Sequence, residues 1–535
     1  MKKYFVLISL ITVVFTLSAQ KKDISDFPAK KINWHNKDLK KDKIAGSSVE
    51  RLYSEILKDK KPKKSIIVAI IDGGVDINHP DLQERIWVNR DEIAGNGIDD
   101  DHNGYIDDIH GWNFIGNNKG ENIDKAPLEK TRMYAALSEK YDSKKADEIP
   151  EKDKKEYELY LKVKQSFEKE YQEKLTEYNG IKNFLDNYVF AENFMKKYLQ
   201  KDELTYKDLK AVKTDNKDLK AIRDFLMSLY KNDFDYNDLK KYFTGLEDDL
   251  KTQLNVDFHP RADIIGDNPD DFSQANYGNP DVKGPSPSHG TFGAGIICAV
   301  RNNGVGVQGV ADSVQLMVLR VVPDGDEYDK DVALSIRYAV DNGAKVINMS
   351  FGKGFSPHPE KVLEALKYAS DKGVILVHAA GNDAENTDTI PHYPCQFLPG
   401  TDTIQNYLAI GASAMKKNKY LPAFFSNYGK QTVHLFAPGY EIISTDPDSS
   451  YNIASGTSFS TPLVSGVIAL LWSYFPEKSA EEIRSAVING VTDLSKLKVY
   501  RPSETGEKVK IRFKDLSITG GIVNAYNSYK ILEQK

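Results

Sequence analysis

Apolar residues are not spread evenly along the chain. They gather in short continuous runs at 65–71, 315–322, 345–349, 374–379 and 407–410, each rich in β-branched residues and bounded by Gly, Asp, Asn or other polar residues. A run without period-two alternation marks a strand buried on both faces, as in a parallel sheet. Amphipathic helical patterns at 331–342 and 359–372 separate several of the runs. Strands that alternate with helices predict an α/β fold, a doubly wound and mostly parallel sheet with right-handed crossovers.

Residues 118–270 follow a different pattern, rich in Lys, Glu, Asp and Tyr and poor in Gly. Tyr157, Tyr160, Leu161, Phe167, Tyr171, Leu175 and Tyr178 fall on one helical face, and further helical patterns follow at 218–230 and 236–242. Periodic apolar residues argue for an inserted α-helical subdomain rather than disorder, with the tyrosine stripe as its packing face. At the other extreme, Lys2 and Lys3 precede an apolar run over 4–17, followed by Ser18, Ala19 and renewed polarity. This is the layout of a secretory signal peptide over 1–19. The run is shorter than the roughly 20 residues of a membrane span, so the mature chain is expected to carry no transmembrane segment. Residues 20–62 are polar and Lys-rich and read as a leader or linker. The expected catalytic domain comprises 63–117 and 271–535, with 118–270 between the two parts.

Composition narrows the classes. Of 535 residues, 40% are hydrophobic and 28% charged, enough for a sizeable core. The net charge of −6 argues against a nucleic-acid partner, which needs a basic face. Cys298 and Cys395 are the only cysteines, too few for a disulfide scaffold. Cys298 lies in an apolar helical pattern and reads as a buried free thiol, although a pair with Cys395 stays open.

The strand and helix ends carry the chemistry. Asp72 closes the first buried run, in Ile70-Ile71-Asp72-Gly73-Gly74. In open α/β sheets such carboxyl ends hold the site. His289 opens a helix, in Ser288-His289-Gly290-Thr291, and small residues follow it. Ser458, in Ser455-Gly456-Thr457-Ser458, precedes an apolar helix over 463–471. A hydroxyl at a helix N-terminus has free backbone N–H groups beside it, suited to a developing oxyanion. Asn382, in Ala379-Ala380-Gly381-Asn382, follows another buried run and can supply a side-chain donor. A nucleophile, a base, an orienting acid and oxyanion donors are the parts that peptide-bond hydrolysis needs.

Together and in this order, the four segments resemble the motifs of the subtilisin family over about 62–117 and 275–530; the order Asp, His, Ser is that of the family's well-known triad. The resemblance implies a secreted or periplasmic serine endopeptidase acting through an acyl-enzyme. Asp72 would orient His289, His289 would act as base and then acid, Ser458 as nucleophile, and Asn382 with the Ser458 N–H as oxyanion hole. It implies no cofactor for catalysis and a protein or peptide substrate. Ser350, Phe351 and Gly352 would pair with substrate backbone, and Ala379, Ala380 and Gly381 would form the far wall of the first specificity pocket. Tyr393-Pro394 resembles a pair that in the family follows a small residue at the pocket base. Here His392 stands in that place, and the expectation is a shallower pocket favouring small or acidic side chains. The alternative from another class is an inactive subtilisin-like scaffold that binds peptides; all triad residues are present, which favours the enzyme.

The chain departs from the family in three respects. Asp72 and His289 are 217 residues apart, a spacing that the helical insertion explains. Phe292 and Ser460 replace the family's usual His and Ala, and the segment before residue 62 looks too short for its folding prosegment. One further motif, Gly304-Val305-Gly306-Val307-Gln308-Gly309, fits a dinucleotide fingerprint in letters, but it follows a helix and precedes a strand, the reverse of the required context. Finally, Asp99, Asp101, Asn103, the Tyr105 carbonyl and Asp107 place oxygen atoms at alternate positions around Gly104, which predicts a structural calcium loop, though without the Glu of a standard EF-hand.

Overall fold

The computed structural model describes residues 21–534. The expected export signal over 1–19 lies outside them. Among the described residues no helix is long and apolar enough to cross a membrane.

The apolar runs form β1 (Ile66–Asp72), β3 (Val314–Arg320), β4 (Val346–Met349), β5 (Ile375–Ala379) and β6 (Tyr407–Ser413). With β2 (Gly111–Asn113), β7 (Leu435–Pro438), β10 (Thr492–Asp493) and β13 (Gly521–Ile522) they build a nine-stranded sheet in the order β10-β13-β7-β6-β5-β4-β1-β3-β2. All neighbours are parallel except β10 and β13. Two antiparallel pairs lie apart from it: β8 (Ile442–Asp446) with β9 (Ser450–Ala454), and β11 (Lys498–Tyr500) with β12 (Lys510–Arg512). The chain passes from β1 to β2 at the edge, comes back through β3 beside β1, and then crosses to β4 on the other side of β1. The reversal between β1 and β4 makes the crevice at their carboxyl ends the expected ligand position.

Alternation along the strands builds two cores. Val68 and Ile70 of β1 pack with Leu316 and Val318, under α8 (Ser288–Cys298) and α11 (Thr457–Tyr474). Ala69 and Ile71 point the other way, with Met317 and Leu319, toward α9 (Asp329–Asp341) and α10 (Pro359–Asp371). Since both faces are covered, the strands have no polar side, which is why they read as unbroken apolar runs. Helix α12 (Ala480–Asn489) joins the first core through Ile483 and Val487.

One compact unit spans Lys130–Phe258; the other holds the chain up to Glu129 and from His259 onward. The helical unit is thus narrower than the expected 118–270. Ile123 and Ala126 pack with Ile115 and Tyr328 of the sheet-bearing unit, and the short α7 (Pro260–Ile264) also belongs there. In the helical unit, α2 (Glu129–Tyr141) leads to the 46-residue α3 (Lys154–Leu199), followed by α4 (Tyr206–Ala211), α5 (Lys217–Lys231) and α6 (Tyr236–Lys251). Along α3, Tyr160 packs with Tyr141 and Ile149, Leu185 with Leu246, and Met195 with Leu209 and Leu226. Leu161, expected on the packing face, is exposed; Val163 is buried in its place.

Residues 21–62 do not behave as a linker. Trp34 is fully buried and its Nε1 donates to the Glu441 carbonyl at 3.0 Å. Val49 and Leu52, in the single turn α1 (Val49–Leu52), sit in the same core as β1. Backbone bonds run from Ala45 N to Met415 O and from Ala525 N to Ser47 O. The few apolar residues that anchor this segment are too widely spaced to show a period, so polarity hid its burial.

Candidate active site

At the end of β1, the Asp72 carbonyl accepts bonds from Val321 N and Val322 N and continues the ladder to β3, which fixes the direction of its buried side chain. Its carboxylate accepts Gly73 N at 2.8 Å and faces His289 Nδ1 at 2.9 and 3.0 Å. The chain brings α8 in at very close range: a Cβ on Gly290 would lie 2.1 Å from the Gly74 carbonyl oxygen and 3.2 Å from Asp72 Cβ. Only glycine after His289 permits that approach.

With a carboxylate at Nδ1, that nitrogen carries the hydrogen and donates it, and Nε2 is left with its lone pair. The His289 side chain is 45% exposed. Desolvation opposes its charged form, the Asp72 charge and hydrogen bond favour it, and the balance raises the pKa above the ordinary 6.5. The ring lies 5.4 Å from that of Phe459, which in turn lies 4.4 Å from Phe292. Phe292 therefore backs the residue beside the histidine rather than taking part in the chemistry.

Ser458 lies within the first turn of α11, which starts at Thr457, before the apolar stretch expected to open it. Its Oγ donates to the Ser350 carbonyl at 3.0 Å, and Ser350 Oγ donates back to the Ser458 carbonyl at 2.9 Å. Beneath this pair, Asn348 Nδ2 donates to Ser350 Oγ, and Ser465 Oγ donates to Asn348 Oδ1, both at 2.9 Å. The hydroxyl is thus turned toward β4 rather than toward Nε2. Catalytic hydrogen bonds are often unformed without substrate, and a staggered rotation about one bond redirects the hydroxyl.

Asn382 Oδ1 accepts Thr457 N at 2.9 Å and Thr457 Oγ1 at 3.1 Å, which orients the amide and leaves Nδ2 as the donor beside the α11 N-terminus. Asn427, buried, braces the same loop: Oδ1 accepts Asp383 N and Glu385 N, and Nδ2 donates to the Ala380 carbonyl. Beyond Met349 and Ala379 the ends of β4 and β5 therefore flank the Ser458 turn, one through Ser350 and the other through Gly381 and Asn382. His392 closes the far end of the space between them. A Cβ on Gly352 would lie 2.4 Å from its Nε2, and one on Gly381 3.1 Å from its Cε1. Phe351 and His378 lie behind, with His378 Nε2 on the Phe351 carbonyl at 2.8 Å. Burial pushes the His378 pKa down to about 3 and lowers that of His392.

The acidic loop is only partly assembled as expected. Asp99 and Asp101 come together, but with Glu92, each offering a carboxylate oxygen within 4.8 Å of the others. Asn103 donates to Asp101 Oδ2 at 3.1 Å, and its Oδ1 accepts Tyr105 N. The Tyr105 ring packs on Trp112 and Tyr338. The Asp107 carboxylate instead accepts Gly95 N, Asn96 N and Gly97 N, outside the trio. Glu92, several residues upstream of the alternating motif, offered no signal in the sequence; nor did Asn348, Ser465 and Asn427. Cys298 and Cys395 are both free thiols.

The profile of the Subtilase family matches residues 63–503. Thermitase of Thermoactinomyces vulgaris is 38% identical over 213 residues, 40% of this chain and 70% of that protein. Subtilisin BL of Lederbergia lenta is 36% identical over 214 residues, 40% of this chain and 73% of that protein. The solved structure of the prenylagaramide maturation protease PagA aligns at 27% identity and a TM-score of 0.37, covering 46% of this chain and 82% of that one. With more than half of its length inside the family profile, the chain belongs to the subtilase family.

Proposed function

We propose that this protein is an exported serine endopeptidase that cleaves peptide bonds through an acyl-enzyme on Ser458. The observation that carries the reading is the buried Asp72 carboxylate on His289 Nδ1, with the imidazole ring 5.4 Å from that of Phe459, the residue after Ser458 in the first turn of α11. His289 Nε2 takes the Ser458 proton as the hydroxyl attacks and returns it to the leaving amine. Asn382 Nδ2 and the Ser458 N–H receive the oxyanion. Ser350, Phe351 and Gly352 align substrate backbone, while Ala379, Ala380 and Gly381 form the opposite wall. His392 fills the pocket floor and favours small side chains before the cut, and acidic ones only at low pH, where the buried imidazole becomes charged. The signal-like start of the sequence supports export.

A structural calcium ion is part of the proposal. The donor set of Glu92, Asp99 and Asp101 is all carboxylate oxygen, the chemistry a hard divalent cation takes. It would pin the loop after β1 and take no part in catalysis.

The test is casein digestion beside fluorophosphonate labelling, for wild type, Ser458→Ala and His289→Ala. Wild type should be labelled and digest casein, with both variants reduced by roughly 10⁴-fold or more. A wild-type protein that takes no label is the inactive scaffold instead.

A further inference from the structure

Lys353, directly after the strand end proposed to hold substrate, is 4% exposed. Its ammonium has three N–H donors and three oxygens around it: Glu129 Oε2 at 2.6 Å, the Glu327 carbonyl at 2.7 Å and Asp329 Oδ1 at 2.8 Å. Its backbone pairs with Tyr393 in both directions, Lys353 N to Tyr393 O at 3.0 Å and Tyr393 N to Lys353 O at 2.9 Å. Tyr393 follows His392, whose imidazole lies against Gly352 and Gly381. Lys353 therefore ties the segment that follows β4 to the His392–Tyr393 segment at the far end of the space beside Ser458.

Its partners have a second connection. Glu129 is the last residue before the helical unit, and its N–H is held by Asp326 Oδ2 at 2.7 Å. Asp329 opens α9, and its Oδ2 accepts Ser356 Oγ and His358 N. The next two residues of α9 hold the returning chain. Lys330 Nζ donates to Asp267 Oδ2 at 2.6 Å, and Asp331 accepts both terminal nitrogens of Arg261 at 2.6 and 3.0 Å. Lys330, Asp331 and Arg261 are all buried. The stretch from Asp326 into the first turn of α9 thus holds the chain where it departs for Lys130–Phe258, through Asp326 and the Lys353 shared with Asp329, and where it comes back, through Lys330 and Asp331.

Buried ion pairs give little net stability over apolar packing, yet losing one partner is costly because the other is left charged in a dry site. A displacement of Glu129 takes away one of the two carboxylates on Lys353, so the ammonium is drawn to a new position relative to Asp329 and the Lys353–Tyr393 ladder moves with it.

Building on the peptidase reading above, we propose that Lys353 is a positioning residue of the pocket beside Ser458. Through Glu129, the point where the chain leaves for the inserted helical unit becomes a determinant of that pocket's shape, and so of which residue is accepted before the cut.

The test uses the full-length protein as wild type, Glu129→Gln, Lys353→Met and His392→Gly, the last as a reference for a changed pocket. Each is assayed for kcat and KM on peptides that vary only in the residue before the cut, for the rate of fluorophosphonate labelling, and for melting temperature. Both clamp variants should alter the kcat/KM ratio between small and large residues, mainly through KM and by about 10- to 100-fold for Lys353→Met, the scale of a misplacement near 1 Å. Labelling of Ser458 should proceed at the wild-type rate. Glu129→Gln keeps shape and an acceptor oxygen, so it decides the matter if Lys353→Met does not fold. A lowered melting temperature with an unchanged preference profile makes the cluster purely structural and overturns the clamp alone. A wild-type protein without label overturns the peptidase reading, and the clamp with it.

Discussion

Trp34→Ala is expected to destabilise the sheet-bearing unit by about 3–5 kcal/mol. The side chain is fully buried. A tryptophan removes about 200 Å² from water, and at about 25 cal/mol per Å² this amounts to about 5 kcal/mol. Loss of the Nε1 bond to the Glu441 carbonyl adds about 1 kcal/mol. Partial collapse of the cavity returns some of the total, which leads back to the stated range. That is a large share of a domain's usual margin of about 5–15 kcal/mol. Scanning calorimetry on the purified protein checks it, with the helical unit's transition followed separately because two units need not unfold as one. The sheet-bearing unit should melt roughly 5–10 °C lower. A melting temperature within about 1 °C of wild type refutes the reasoning, since a segment that contributes nothing to the core would give that result.

Two further outcomes follow from the site. The acidic limb of kcat/KM reports the free enzyme's base; with the His289 pKa raised by Asp72, this limb should lie above pH 6.5 and shift downward in Asp72→Asn, measured on a neutral peptide. The same raised pKa gives folding stability that is fully present below the unfolded value and lost as pH rises through the folded one. A limb unmoved by Asp72→Asn would show that the carboxylate does not act on His289. For the metal, a chelator should lower the melting temperature of calcium-loaded protein, and Asp101→Ala should abolish that response; a calcium-loaded protein indifferent to chelation has no such site.

The strands and the candidate site motifs were legible because their signals are local. A both-faces-buried strand must be a continuous apolar run; Asp72 ends one and Asn382 follows another, while His289 and Ser458 lie in the first turns of α8 and α11. Burial of residues 21–62 was not legible, because Trp34, Val49 and Leu52 anchor a mostly polar segment to elements hundreds of residues away. The acidic loop shows the limit of spacing. Alternate oxygens read as one ligand set, yet the backbone turns at Asp107, whose φ is +55°, and its carboxylate goes to three loop amides while Glu92 comes in from outside the motif. Lys353 carried no signal either, since its partners come from widely separated stretches of chain.

The separation of 217 positions between Asp72 and His289 bears on the same point. Each doubling of a loop costs only about 0.6 kcal/mol in closure entropy, so the long excursion is cheap as far as chain statistics go. Nor does it disturb the pair: Asp72 is set by the ladder to β3 and His289 by the close approach of α8 at Gly290, and neither depends on the intervening length. A short apolar hinge would therefore have been enough to tether the helical unit. Instead the departing and returning chains are held by buried Glu129, Arg261, Lys330, Lys353, Asp329 and Asp331, groups that are costly to bury and whose geometry tolerates little movement. An attachment of that kind transmits position, and the residue at its centre is the one next to the strand that faces Ser458.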